Sequence, residues 1–223
     1  MRACLALLSA VALTGTPSQA QDIPTALGRI SYAAVPAAGA AICTGTLVAP
    51  DLVLTAGHCL RGAIADPASV WFAAGYRDGH SAALVQGADI ILLDGDGTGG
   101  FLRDLALLRL AQPIPADLVT PLPLANPDAA VFTLMAYRRD TPERVIRAAP
   151  CTPVAAPAGM LGLTCGVVSG NSGAPVLQRV ATGWQIAAVV VAAAEGGRLR
   201  TLAAIPLPAL QARIAGERDV PTP

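Results

Sequence analysis

Residues 44–59 read TGTLVAPDLVLTAGHC, and this stretch decides how the chain is expected to fold. Two short apolar runs, 41–48 and 52–55, are separated by the turn signal Ala49-Pro50-Asp51. Short apolar runs bounded by Pro and Asp are typical of β-strands. The second run leads directly into Gly57, His58 and Cys59, so we expect a histidine at the end of a strand.

Short apolar runs and turns continue along the rest of the chain. We predict strands at 28–34, 41–48, 52–55, 70–74, 82–93 and 105–110, and then at 131–136, 144–148, 162–165, 174–178, 184–192 and 199–205. Between the two groups lies 113–127, whose five prolines resist helix and central strand and indicate a linker. Near the end, Leu210 and Ile214 lie four residues apart after Pro208, which predicts a terminal amphipathic helix over 208–218.

The first twenty residues are typical of a secretory signal peptide. Arg2 supplies a positive charge, 5–13 is a short apolar run, and Ser18-Gln19-Ala20 is a cleavage site of small residues. The run is shorter than the roughly 20 apolar residues that a transmembrane helix needs. We therefore expect a mature protein that begins at Gln21, is secreted or periplasmic, and has no membrane contact after the signal peptide is removed.

Charge and cysteine content exclude several functional classes. The chain carries 15 Lys plus Arg against 15 Asp plus Glu, with no basic stripe, so no nucleic-acid partner is expected. Two histidines and the absence of a C-x-x-C pair argue against a metal site. Four cysteines remain after Cys4: Cys43, Cys59, Cys151 and Cys165. An even number in an exported protein predicts two disulfides; three pairings are open, and pairing within each half is the simplest.

Three residues carry the types and settings that nucleophilic hydrolysis needs. His58 follows a strand among small residues, which suits a general base but also fits a hydrogen-bonded loop histidine. Ser172 lies between glycines that permit an exposed hydroxyl and an oxyanion-binding nest, or an ordinary turn. Asp104 precedes an apolar strand, where a carboxylate can orient a histidine, begin a strand, or pair with Arg103.

Taken together, the motifs resemble those of trypsin-like serine proteases in the family's order His, Asp, Ser. They are Thr44-Gly45-Thr46-Leu47-Val48 with Leu54-Thr55-Ala56-Gly57-His58-Cys59, then Asp104-Leu105-Ala106-Leu107, then Gly170-Asn171-Ser172-Gly173-Ala174-Pro175. The Gly-Asn-Ser-Gly form, with a cysteine seven residues before the serine, is similar to bacterial V8-like (glutamyl endopeptidase-like) members.

This resemblance implies an all-β fold of two packed six-stranded antiparallel β-barrels with a short C-terminal helix. Residues 21–115 would form the N-terminal barrel, which carries His58 and Asp104, and 116–223 would form the C-terminal barrel, which carries Ser172. The implied disulfides are Cys43–Cys59, beside the histidine, and Cys151–Cys165, before the serine.

The implied activity is that of a serine endopeptidase. Ser172 would attack the peptide carbonyl, His58 would act as general base, Asp104 would fix the histidine tautomer, and the N–H groups of Gly170 and Ser172 would form the oxyanion hole. We expect no cofactor, a protein or peptide substrate, and a monomer. Animal trypsins have Asp where this chain has Asn171, which cannot pair with a freed N-terminal amine. The site is therefore expected to form without clipping inside an Ile-Val-Gly-Gly sequence, which the chain also lacks, and further trimming after Gln21 stays open.

The family's spacing also places the walls of the primary specificity pocket. The pocket would consist of Gly166, Val167, Val191, Ala192 and Ala193. No acid lies at its base and no histidine follows His80, so neither Arg/Lys nor strict Glu preference is expected, and small or apolar P1 residues are favoured. Arg198 or Arg200 could instead reach the pocket and favour an acid.

A second class of function remains open at this point, a catalytically inactive binding protein that keeps the protease fold. Such proteins usually lack one of the catalytic residues, whereas this chain has a candidate for each.

Overall fold

The computed structural model describes residues 23–40, 42–93, 104–208, 210–212 and 214. Within them the fold consists of thirteen β-strands: β1 (Leu27–Ser31), β2 (Ile42–Ala49), β3 (Leu52–Ala56), β4 (Trp71–Ala74), β5 (Ala83–Leu92), β6 (Leu105–Leu110), β7 (Phe132–Arg138), β8 (Thr141–Cys151), β9 (Pro153–Val154), β10 (Met160–Leu163), β11 (Pro175–Val180), β12 (Gly183–Ala193) and β13 (Thr201–Ala204). The predicted signal peptide, 1–20, lies outside the described residues.

Strands β1 to β6 form a closed antiparallel barrel in the order β1-β2-β3-β6-β5-β4. Every residue of β3 is buried, as is nearly every residue of β6, because the barrel interior lies on one side of these strands and the rest of the molecule covers the other. Their alanine- and leucine-rich sequences fit that position. The β3–β6 register pairs Ala56 with Leu105, which brings the ends of the two strands together.

Strands β7 to β13 form a second, curled sheet in the order β8-β7-β11-β12-β13-β10-β9. The all-β, chymotrypsin-like fold is thereby confirmed, with one closed six-stranded barrel and one seven-stranded half-barrel. The additional strand is the two-residue β9, which is too short to leave a sequence pattern. A short helix, α1, includes the described positions 208, 210–212 and 214, so the predicted terminal helix is present there.

The proline-rich connection, 113–127, packs against both sheets. Ile114, Val119 and Leu122 are buried in the core. Farther along, the N–H of Ile186 in β12 donates to the carbonyl of Pro123 (2.8 Å). The predicted boundary at residue 115 falls between β6 and β7 and stays a prediction.

Two disulfides brace the loops that follow strands. Cys43 in β2 is bonded to Cys59, just after β3, and Cys151 at the end of β8 is bonded to Cys165, after β10. Each closes a short loop, with sequence separations of 16 and 14 residues. Among the described residues, no helix is long and apolar enough to cross a membrane.

Candidate active site

The strand pairing of the barrel brings His58 and Asp104 together. His58 lies in a single 3-10 turn after β3, and Asp104 directly precedes β6. The backbone N–H of His58 donates to Asp104 Oδ1 (2.9 Å), and its ring Nδ1 lies 2.6 Å from Asp104 Oδ2. Because a carboxylate only accepts hydrogen bonds, Nδ1 carries the proton, and Nε2 of the neutral ring is left as an acceptor.

His58 and Asp104 differ in burial, as an oriented base and its buried carboxylate require. Asp104 is only 7 % exposed, so its carboxylate is held out of water and satisfied by His58. The His58 side chain remains 44 % exposed. Gly57 is needed between them, because a Cβ there would lie 2.8 Å from Asp104 Oδ1. One edge of the ring is therefore fixed, and the other is open to a substrate.

Ser172 lies in a tight turn built from the neighbouring backbone. The N–H of Asn171 donates to the carbonyl of Val168 (3.0 Å), and the N–H of Ala174 donates to the carbonyl of Asn171 (2.9 Å). Gly170 has φ +98°, in the left-handed region that favours glycine, and a Cβ there would lie 2.7 Å from a neighbouring backbone nitrogen. Within the described residues, no acceptor is bonded to the N–H groups of Gly170 or Ser172.

Asn171 holds this turn from the inside. It is buried, its Oδ1 accepts a hydrogen bond from the N–H of Val168 (2.8 Å), and its Nδ2 donates to the carbonyl of Tyr137 (2.8 Å). The carboxamide thus satisfies one donor and one acceptor of the backbone at once. The turn needs no outside charge for these contacts.

Thr44 of β2 joins the serine turn to the first barrel. Its backbone N–H donates to the carbonyl of Ser172 (2.8 Å), and its hydroxyl donates to the carbonyl of Gly170 (2.9 Å). The same hydroxyl accepts a hydrogen bond from the N–H of Tyr137 (2.9 Å), and its carbonyl accepts one from the hydroxyl of Thr55 (2.8 Å). These four bonds fix the position of the turn relative to the strand that leads to His58.

His58 and Ser172 line one cavity of about 280 Å³ between the two sheets. No hydrogen bond joins their side chains in the structure, although both are described. Such bonds are often long before substrate binds and shorten in the complex. The cavity also includes Ser169, Gly170 and Arg139, so the residues predicted for attack and for oxyanion binding share one space.

The residues predicted for the specificity pocket lie outside this cavity, and their settings differ. Gly166 is exposed, and an added Cβ there would have Arg200 Nη2 as its nearest atom, at 3.9 Å. Val167 is partly buried against the core of the second sheet. Val191 is almost fully buried, so its side chain belongs to the core, whereas Ala192 and Ala193 are accessible.

Thr201 connects the two predicted pocket walls. It pairs with Ala193 in the β12–β13 ladder, and its buried hydroxyl donates to the carbonyl of Cys165. The chain just before Gly166 is thereby held beside the end of β12. Sequence reasoning did not find this residue, because a lone threonine in an apolar run has no distinctive signal.

Other residues at the site also escaped prediction. Arg139 and Tyr32 line the cavity, but a turn arginine and an isolated aromatic carry no spacing signal. In the described part of the chain, one group of metal-ligating side chains occurs, Cys43, His58 and Cys59, with ligand atoms within 4.8 Å. The two sulfurs form a disulfide and so offer no thiolate to a metal.

Several solved protease structures share the fold of this chain. A thermostable serine protease, AL20, from an extremophilic microorganism is 18 % identical, with a TM-score of 0.62 over 81 % of this chain and 91 % of that one. The protease Anisep from Arthrobacter nicotinovorans is 16 % identical, with a TM-score of 0.60 over 82 % and 90 %. A Glu endopeptidase solved in complex with MPD is 20 % identical, with a TM-score of 0.64 over 86 % and 89 %. At these identities the likeness is one of fold.

Sequence comparison adds the family. The profile of the family described as Trypsin matches residues 15–149, which is more than half of the chain. The match includes His58 and Asp104 and ends before Ser172, so the serine turn is identified by its motif and its geometry. The chain belongs to the trypsin family, whose members are serine endopeptidases.

Proposed function

We propose that the protein is a secreted or periplasmic endopeptidase that hydrolyses peptide bonds through His58, Asp104 and Ser172. The observation that carries the proposal is the His58 ring, bound at Nδ1 by a buried carboxylate and open at its other edge to the cavity that Ser172 lines. This arrangement supplies an oriented base beside a hydroxyl nucleophile.

In the proposed reaction, the Ser172 oxygen attacks the scissile carbonyl while His58 Nε2 takes the hydroxyl proton. Asp104 stabilises the imidazolium that forms. The tetrahedral intermediate collapses with cleavage of the C–N bond, and His58 delivers its proton to the departing amine. Water then attacks the acyl-enzyme with His58 again as base, which releases the acid and regenerates Ser172.

The oxyanion would be bound by the backbone N–H groups of Gly170 and Ser172, which have no acceptor within the described residues. Each such donor is typically worth about 10²–10³ in rate. The Asn171 carboxamide supports the turn that presents them, through Val168 and Tyr137. We therefore propose that the site is competent without an N-terminal amine released by clipping.

The proposed P1 preference is for small or apolar residues, because the accessible predicted wall residues, Ala192 and Ala193, are small and uncharged. One observation favours a second candidate, an acidic P1 residue. Arg200 Nη2 lies 3.9 Å from the Cβ position of Gly166, the predicted pocket base. The kcat/KM values of peptides that differ only at P1, with Ala, Val, Leu, Glu or Gln there, distinguish the two candidates. Arg200→Gln would lower kcat/KM for the P1 Glu peptide only if the second candidate holds.

Location outside the cytoplasm is supported by the two disulfides, because such bonds persist in oxidising compartments. The alternative of an inactive binding protein has no support from the fold or the family match.

The proposal is tested by labelling the folded protein with a fluorophosphonate probe and mapping the adduct by peptide mass spectrometry. We expect the adduct on Ser172, none after heat denaturation, and none in Ser172→Ala. Ser169→Ala is the matched control, because Ser169 lines the same cavity, and it should still be labelled at Ser172. Asp104→Asn should lower turnover by about 10⁴-fold. An unlabelled Ser172 in folded protein would refute the assignment.

A further inference from the structure

The cavity beside His58 and Ser172 has a position that identifies which half of a substrate it receives. It is bordered by the His58 turn and the Cys43–Cys59 disulfide on one side and by Gly170 on the other, and none of the predicted P1 pocket residues lines it. Because His58 must protonate the departing amine, the leaving half of the peptide lies on the His58 side of the scissile bond. This inference rests on the proposed function and extends it to the leaving-group side.

One wall of the cavity is apolar and held in place. Ile30 and Ile42 are buried there beside the Cys43–Cys59 disulfide. The Tyr32 hydroxyl donates to the carbonyl of Cys59 (2.6 Å), while the residue as a whole remains 47 % exposed. An anchored aromatic ring with an exposed face and buried aliphatic neighbours favours an apolar side chain next to the scissile bond.

Arg139 provides the charge at the rim of the same cavity. Its backbone N–H donates to the carbonyl of Ser169 (2.9 Å), which fixes the residue beside the serine turn. It also lines a second cavity of about 240 Å³, which shares Ile42 with the first. Arg139 therefore lies where the two cavities meet, and its side chain is exposed there.

The neighbouring carboxylates are already occupied. Asp140 accepts two hydrogen bonds from Arg138, at 3.0 and 2.6 Å. Glu143 accepts one from the Tyr76 hydroxyl (2.7 Å) and pairs with Arg29 (3.6 Å). In the described part of the chain, the Arg139 guanidinium has no hydrogen bond or ion pair. An unpaired guanidinium beside a substrate cavity is suited to a carboxylate.

We propose that this cavity is a leaving-side subsite that selects an apolar residue directly after the scissile bond and a carboxylate on the residue that follows, bound by Arg139. The carboxylate can belong to an Asp or Glu side chain or to the C-terminus of the substrate, since both present the same two oxygens to the guanidinium. The enzyme would then favour cleavage sites with an apolar P1′ residue followed by an acidic P2′ residue, or release dipeptides from the C-terminus of a substrate.

Binding to Ser172→Ala tests the subsite without turnover. The probes are Leu-Gln-amide, Leu-Glu-amide, which has only a side-chain carboxylate, and Leu-Gln, which has only a terminal one, titrated and followed by NMR. We expect at least one carboxylate peptide to bind about tenfold more tightly than Leu-Gln-amide. A gain for Leu-Glu-amide identifies the side chain as the source, and a gain for Leu-Gln identifies the terminus. Equal Kd values for all three peptides would overturn the proposal.

Variants assign the gain to one residue. In the Ser172→Ala background, Arg139→Gln should remove the difference between charged and neutral peptides. Arg144→Gln is the matched control, because it removes one exposed positive charge that is paired with Asp78 and does not line the cavity, and it should preserve the difference. Loss in both variants would mean general electrostatic attraction and would refute the subsite.

Turnover separates this inference from the proposed function. Two quenched peptides share one acyl half and end in Leu-Glu-amide or Leu-Gln-amide. Their kcat/KM values should differ about tenfold for the wild type, and this difference should disappear in Arg139→Gln. Cleavage with no such difference, and no difference in binding, would leave the endopeptidase assignment intact and remove the subsite. No cleavage and no probe label on Ser172 would reject the proposed function, while the binding measurements would still decide whether the carboxylate site exists.

Discussion

Replacing Thr44 with Val removes one hydroxyl from the point where β2 meets the serine turn and keeps nearly the same side-chain shape. That hydroxyl donates to the carbonyl of Gly170 (2.9 Å) and accepts from the N–H of Tyr137 (2.9 Å). Thr44 has no solvent exposure, so water cannot easily replace either bond. The variant therefore leaves one buried backbone acceptor and one buried backbone donor without this partner.

The expected cost follows from the two groups left behind. An unsatisfied buried donor or acceptor typically costs about 1–3 kcal/mol, so with two such groups we expect the free energy of unfolding of Thr44→Val to fall by about 2–6 kcal/mol. The same strand offers a matched control two residues on. Thr46 is also buried, but in the described structure its hydroxyl has no partner. Thr46→Val should therefore be neutral or stabilise the protein by about 1 kcal/mol.

The measurement is urea unfolding followed by tryptophan fluorescence, with both variants made in the Ser172→Ala background to prevent self-digestion. Fluorophosphonate labelling with Ser172 restored then reports the turn itself, and Thr44→Val should slow labelling whereas Thr46→Val should not. Equal losses of stability in the two variants would refute the reasoning, because they would show that burial of threonine, and not its bonds to the turn, decides the outcome.

Three further changes test the turn and the joint between the sheets. Asn171→Asp puts a carboxylate against the Tyr137 carbonyl, which raises the pKa of the new carboxyl in the folded state above its ordinary value of about 3.9. The loss of stability relative to the wild type should therefore grow between pH 4 and pH 8 in urea unfolding. The control Asn126→Asp, at an exposed position, should change the free energy of unfolding by less than about 0.5 kcal/mol. Gly173→Ala should destabilise the fold by about 3 kcal/mol or more, because the φ of Gly173 is +78° and a Cβ there would lie 2.2 Å from the backbone oxygen of Thr44. Gly62→Ala is the control: a Cβ at Gly62 would have nothing within 4 Å, so this change should be tolerated in the same assay. Burial raises the pKa of the Tyr137 phenol, so above about pH 10 the unfolded chain releases a proton that the folded one keeps; stability should fall with rising pH there, and less steeply in Tyr137→Phe.

Strands β2, β3 and β6 of the first barrel were predictable because they are almost fully buried and read as plain apolar runs. Strand β6 was predicted at 105–110 and is observed at Leu105–Leu110. Strand β8 was predicted only at 144–148, yet it spans Thr141–Cys151. Most of its residues are exposed, so charged side chains and two prolines interrupt the pattern that reveals a strand.

The chemistry of the site was predictable from motifs, and its support was not. His58 and Asp104 lie far apart in sequence, and the β3–β6 pairing brings them into contact as the motif order implies. The positions of Arg139 and Thr201 depend on turns and ladders from other parts of the chain. No local spacing records which backbone carbonyl a hydroxyl will reach, so these contacts appear only in three dimensions.

The division of the site between two sheets has a physical consequence for how the enzyme becomes active. The base and its carboxylate both come from the first barrel, whereas the serine turn lies between β10 and β11 of the second sheet. At the joint, Gly173 packs so closely on Thr44 and Thr55 that a methyl group has no room. The alignment of Ser172 with His58 is therefore available only when both halves have folded and docked. Asn171 satisfies a backbone donor and a backbone acceptor of its turn from within, so these contacts of the turn need no ion pair with an N-terminal amine.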